Sequence, residues 1–262
     1  MRLRDRVVLF TEAGEGAAFG RSWALAAARE GARIVIGDRR PELAGAVAEA
    51  VRAEGGEALS IELDVTSETS AKRATEAAIE AFGAVDVLVN DAHLWLGLRR
   101  DDHSLDYIES VLRTNGLGAW VMSRAVVPHM RSRKRGKIIN LSSIGAWVSS
   151  PAYLEHVEQT GNLPSFSYAL SRVLVNGLTR LMAQTLGPSG ITVNALAIGM
   201  ILSEGTRRQL SEAQREFFVE RTALKRMLEI HDTDGAFLFL ASPESDLVTG
   251  QVLLVDGGLV MM

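Results

Sequence analysis

No cysteine occurs among the 262 residues, which removes disulfides, thiolate metal sites and a cysteine nucleophile together and fits a reducing compartment. Neither sign of charge dominates. The 28 Lys and Arg against 32 Asp and Glu leave a formal net charge of −4 and a pI near 5.8. That balance provides no electrostatic footprint for nucleic acid or an anionic membrane. Long apolar runs are missing too: no stretch approaches the roughly 20 residues that span a bilayer. The opening "MRLRDRVVLFTEAG" has only four apolar residues in a row, too few for a signal-peptide core. The expectation is a soluble, cytoplasmic protein. The five histidines, at 93, 103, 129, 156 and 231, include no pair at the helical spacing of metal ligands, so no metal is expected. No Pro-, Ser- or Gly-rich linker, internal repeat or low-complexity tract divides the chain, and residues 1–262 read as one domain.

What is present is alternation. With 47% apolar residues the chain can bury a full core. The runs "RVVLF", "RIVIG", "ALSIEL", "VDVLV", "KIINL", "ITVNAL" and "QVLLV" are too short for helices and mostly rich in β-branched residues, which predicts about seven strands covered on both faces. Between them the apolar spacing predicts helices near 17–30, 41–54, 67–82, 104–129, 166–187, 206–219 and 231–241. Strand alternating with helix means an α/β fold with a doubly wound parallel sheet and helices on both faces. In such sheets ligands bind beyond the carboxyl ends of the strands, where the strand order switches. The residues there are Thr11–Gly20, Asp38, Asp64-Val65, Asn90-Asp91, Ser142-Ser143 and Ala197–Gly199.

"TEAGEGAAFG" follows the first strand and opens the first helix, the context of a dinucleotide turn. Its glycines, Gly14, Gly16 and Gly20, let the backbone approach a pyrophosphate, to which the helix N-terminus donates amides. Asp38 ends the second strand, 18 residues beyond Gly20, where a carboxylate accepts from both hydroxyls of an adenosine ribose and repels a 2′-phosphate. Arg39 and Arg40 soften that repulsion, so NAD is expected ahead of NADP. In "FSYALSR", Tyr168 and Arg172 share a helix face at i and i+4, so the cation favours phenolate over phenol.

At full length the chain resembles the short-chain dehydrogenase/reductase family, which implies a single-domain Rossmann fold. Thr11–Gly20 resembles the family's TGxxxGxG turn, Asp38 its cofactor selector, and Asn90-Asp91-Ala92-His93 its NNAG segment. Ser143 in "NLSS" and Tyr168 with Arg172 resemble its catalytic Ser and YxxxK, and Asn115 in "RTNGLG" its proton-relay asparagine. Asp64-Val65 resembles the pair that contacts adenine, and "GPSGITVNALAIG", with Gly199, the segment that cradles the nicotinamide. The resemblance implies a nicotinamide-dependent oxidoreductase acting on a small alcohol or carbonyl substrate, as a homo-oligomer, tetramer or dimer. Helices 104–129 and 166–187, apolar on more than one face, fit such packing.

The departures fall on the same positions. Glu12 stands where the family has its first glycine, and at an effective dielectric of about 20 a carboxylate roughly 4 Å from a phosphate costs around 4 kcal/mol before screening. Glu15 adds a second charge, Ala18 takes the expected third-glycine place, and Arg21 offsets part of the charge. Asp91 and His93 replace Asn and Gly, and Ile198 replaces proline. Ser143 and Tyr168 are separated by 24 residues, against about a dozen in the family; the extra piece carries Trp147, Tyr153 and His156 as candidate substrate contacts. Tyr153 is the second candidate phenol, yet Val157 rather than a cation follows it by four residues. Arg172 cannot readily deprotonate as lysine does. Ser143-Tyr168-Arg172 also resembles the triad of the halohydrin dehalogenases, which use no nucleotide. Two alternatives therefore stand beside the oxidoreductase: a nucleotide-independent lyase or dehalogenase with no cofactor, and a catalytically silent protein of the same fold.

Overall fold

A computed structural model describes residues 1–13, 19–95, 98–99, 102, 104–147 and 166–261, without the side chains of residues 166, 204, 205 and 209. All seven expected strands form: β1 (Val7–Phe10), β2 (Arg33–Asp38), β3 (Ala58–Glu62), β4 (Val87–Asn90), β5 (Gly136–Ser143), β6 (Ile191–Ile198) and β7 (Val252–Val255). They make one parallel sheet in the order β3-β2-β1-β4-β5-β6-β7. Alternation of side chains explains why the runs are continuously apolar: Val7 and Leu9 enter the core on one face of the sheet, Val8 and Phe10 the core on the other. The order reverses between β1 and β4, and a crevice opens beyond that point.

The helices are α1 (Phe19–Arg29), α2 (Pro41–Ala53), α3 (Glu68–Phe82), α4 (Leu105–Leu112), α5 (Gly118–Ser132), α6 (Phe166–Leu186), α7 (Glu204–Gln209), α8 (Glu212–Arg221) and α9 (Asp234–Ala241). Their ends follow local chemistry. Ser67 caps α3 by accepting from the Ser70 amide, and Gly83 ends it in the left-handed region at φ 79°. Trp23 of α1 is fully buried, stacks 5.1 Å from Phe237 of α9, and donates its indole N–H to Thr233 at 2.9 Å. That contact fixes α1 on its face of the sheet; removing such a ring typically costs about 3–5 kcal/mol.

Two expected helices are each divided. The 104–129 pattern is interrupted by a π turn over Arg113–Leu117, a wider coil that turns Asn115 into the protein interior. The 206–219 pattern breaks at Leu210, which is extended, because Ser211 and Gln214 form a capping box that starts a new helix. Among the described residues no helix is long and apolar enough to cross a membrane.

Candidate active site

The crevice begins with a clasp between β1 and β4. Thr11 is buried; its hydroxyl accepts from the amides of Asp91 and Ala92, each at 3.0 Å, and donates to Asp91 Oδ1 at 3.1 Å. Asp91 Oδ1 also accepts from the amides of Thr11 at 2.9 Å and Glu12 at 3.2 Å. Asp91 Oδ2 has no partner among the described residues. Burial first, and the nearby Glu12 charge second, push the Asp91 carboxyl well above the ordinary carboxylate range. Gly20 is needed for contact at the start of α1: a Cβ there would lie 2.0 Å from the Glu12 carbonyl oxygen.

Glu12 is turned towards β4. Its Oε2 accepts from the His93 amide and from His93 Nδ1, both at 3.1 Å. His93 Nδ1 also lies 2.7 Å from the Asp91 carbonyl oxygen. With acceptors on both sides, Nδ1 carries the hydrogen.

On the β2 side, Asp38 is buried with both carboxylate oxygens engaged: Oδ2 accepts from the Ala13 amide at 3.0 Å and Oδ1 from the Arg40 amide at 2.9 Å. It lines a cavity of about 390 Å³ together with Arg39, Arg40, Leu63, Val65, Ala92 and Leu94. Arg40 Nε lies 3.8 Å from Asp38, and Arg39 Nε lies 3.9 Å from Asp64. Asp64 turns its Oδ1 back to the Thr66 amide and hydroxyl; burial opposes its charge, yet those bonds and Arg39 hold its carboxyl below the ordinary value. Two residues expected at the cofactor also have contacts within the chain. Asn90 donates to Asn140 at 2.8 Å and to Ser123 at 3.3 Å, inside the core. Gly199 sits where β6 meets the end of β7, and a Cβ there would be 2.8 Å from Asp256.

The second half of the site gathers beyond β5. Ser143 ends that strand and its Oγ accepts from the Gly145 amide at 3.1 Å. A carbon placed on Gly145 would stand 3.5 Å from Ser143 Oγ and 3.5 Å from the Tyr168 ring, so serine and tyrosine border the same backbone. Tyr168 is buried near the start of α6. Arg172, one turn on, is 1% exposed; its guanidinium carbon lies 4.7 Å from the centre of the Tyr168 ring and Nη1 donates to the Leu141 carbonyl at 2.8 Å. Arg172 Nε and Nη2 have no partner among the described residues. Asn115 accepts from the Leu94 amide at 2.7 Å and donates to its carbonyl at 3.1 Å.

Gly14, Glu15, Gly16, Ala18, His103, Tyr153, His156 and Val157 lie outside the described residues. Among the described residues no group of three His, Asp or Glu is placed to hold a metal ion. Sequence reasoning missed Trp95, whose ring lies 4.9 Å from the Tyr168 ring at 58°, and the bond between Glu12 and His93. The second carried a signal: both residues stand where glycine is expected.

A family model described as enoyl-(acyl carrier protein) reductase matches residues 15–260. An L-rhamnose 1-dehydrogenase (NAD(P)(+)) of Azotobacter vinelandii is 38% identical over 270 residues, covering 99% of this chain and 98% of that protein. An uncharacterized oxidoreductase of Mycobacterium tuberculosis is 38% identical over 260 residues, covering 98% of each. A gluconate 5-dehydrogenase from Burkholderia cenocepacia J2315, solved in complex with NADP and tartrate, superposes with a TM-score of 0.86 at 33% identity, covering 98% of this chain and 96% of that one. With this sheet order, this crevice and these relatives, the chain belongs to the short-chain dehydrogenase/reductase family.

Proposed function

We propose that the protein is a nicotinamide-dependent oxidoreductase that interconverts an alcohol and a carbonyl, with NAD preferred over NADP. The observation that carries this reading is Arg172: a buried guanidinium beside the Tyr168 phenol with two donors that no described residue satisfies. Buried donors without partners are costly, so a ligand that accepts from them has a place to bind. The residues present fit a dinucleotide. The 390 Å³ cavity between Asp38, Leu63 and Val65 suits its adenosine end, and Arg172 suits the hydroxyls of its other ribose. When bound, the nicotinamide would supply the hydride acceptor or donor.

The chain's own residues supply the rest. Tyr168 would give or take the proton at the substrate oxygen. Ser143 would donate a hydrogen bond to that oxygen, and Arg172 would stabilise negative charge on the phenol. Asn115 would support proton transfer towards water, because arginine does not give up its own proton. Two relatives named for L-rhamnose and gluconate make polyhydroxylated compounds the first substrates to screen.

The test is calorimetric titration with NAD(H) and NADP(H) on the parent and on Asp38→Ala. Tighter NAD(H) binding is expected, with the gap narrowed in the variant. Equal affinities in the parent would defeat the selector role of Asp38. Binding of neither would favour the nucleotide-free reading of Ser143, Tyr168 and Arg172.

A homo-oligomer belongs to the same proposal. Between α5 and α6 lies an open apolar groove of about 670 Å³ with Leu117, Trp120 and Leu181 exposed, a face suited to a second copy of the chain. Light scattering showing a monomer at micromolar concentration would reject it.

A further inference from the structure

Segment 91–95 runs from the end of β4 past the crevice without regular secondary structure, so its backbone must be ordered by bonds from elsewhere. At its start, Asp91 is clasped by Thr11. In its middle, the amide and ring of His93 both donate to Glu12, and the amide and carbonyl of Leu94 both bond Asn115. At its end Trp95 packs on the Tyr168 ring. The segment is therefore one continuous connection from the β1 turn to the phenol.

We infer that Glu12 and His93 are a matched pair of positioning residues, which together fix segment 91–95 so that it meets Asn115 and the Tyr168 ring. Each residue alone is a poor fit. Without His93, the Glu12 carboxylate would stand partly buried beside Asp91, facing a crevice that already holds Asp38 opposite Arg39 and Arg40. Without Glu12, the His93 side chain, only 8% exposed, would keep a single acceptor at the Asp91 carbonyl and its amide would lose its own. Glycine at both places creates neither difficulty. The two substitutions thus depend on one another, and Glu12 is a fastening for the segment rather than a charge aimed at the cofactor.

The test compares Glu12→Gly, His93→Gly, the double variant and Glu12→Gln, which keeps an acceptor. Hydrogen–deuterium exchange across 91–95 in the unliganded protein reads the segment itself, and NAD(H) affinity, resting on the proposed function, reads its effect on the site. Each glycine variant should lose about tenfold or more of exchange protection and of NAD(H) affinity, while the double variant returns to within about threefold of the parent affinity. Glu12→Gln should keep the protection. Tighter NAD(H) binding by Glu12→Gly, or losses that add in the double variant, would overturn the inference. If the single variants melt too low to assay, Glu12→Gln and the double variant decide it. Should the parent bind no dinucleotide, the proposed function fails, and the exchange measurements alone judge the pair: unchanged protection in Glu12→Gly overturns it.

Discussion

The two ends of the crevice depart from the family's pattern in opposite ways. At the β1–β4 end three unusual residues are bonded within the chain: Asp91 accepts through Oδ1 from Thr11 and Glu12, and Glu12 accepts from His93, so that among their carboxylate oxygens Asp91 Oδ2 is the one unmet by any described residue. At the Tyr168 end a single unusual residue, Arg172, is buried with two donors unmet by any described residue. Changes whose partners lie within the chain serve the chain's own architecture. A change whose partners are missing leaves room for a ligand. Both follow from the cost of a buried polar group without a partner, about 1–3 kcal/mol and more for a charge.

The sharpest way to break the comparison is at the phenol. Tyr168→Phe should lower turnover of any accepted substrate by at least about 10²-fold, the usual contribution of a general acid or base, with little change in melting temperature. Steady-state assays beside thermal unfolding check both halves; retained activity would put the chemistry on another residue, Tyr153 first.

Arg172→Met comes next. Loss of the buried cation, whose two donors unmet by any described residue are proposed to hold the ribose, should weaken NAD(H) binding and lower turnover by about tenfold or more. Arg172→Lys keeps the charge, so a redox enzyme should retain most of its activity, whereas an enzyme relying on the fixed guanidinium fork should lose it. Rate measurements beside NAD(H) titration separate the two.

The smallest effect is at the β1–β4 end. Because the folded-state value of Asp91 is raised, its contribution is most favourable below its unfolded value and is lost as pH rises towards the folded one. Asp91→Asn keeps the acceptor oxygen and cannot ionise. It should match the parent near pH 4 and exceed it by a few degrees of melting temperature at pH 8, on the order of 2–4 °C per kcal/mol for a chain of this size. Melting curves across that range check it; an advantage independent of pH would mean that Asp91 is ionised in the fold.

Much of the fold was legible because its signals are local. Short β-branched runs and helical spacing repeat along the chain, and each of the seven strands stands where its run predicts. The division of 104–129 was not legible, because a π turn and an α-helix place apolar residues almost alike. For the site, Ser143, Tyr168, Arg172 and Asp38 were readable from short motifs with strong positional meaning. Nothing local separates an Asn90 that faces the crevice from one that bonds Asn140 inside the core. By itself, then, the amino-acid sequence determined the alternation of strand and helix, the parallel sheet and which residue types stand at the strand ends, since each depends on neighbours within a turn or two. Only the tertiary structure decided that Glu12 meets His93, 81 positions away, that Trp95 lies against Tyr168, and that the Arg172 guanidinium reaches the Leu141 carbonyl. Those contacts depend on the order and register of strands far apart in the chain, which no local spacing encodes.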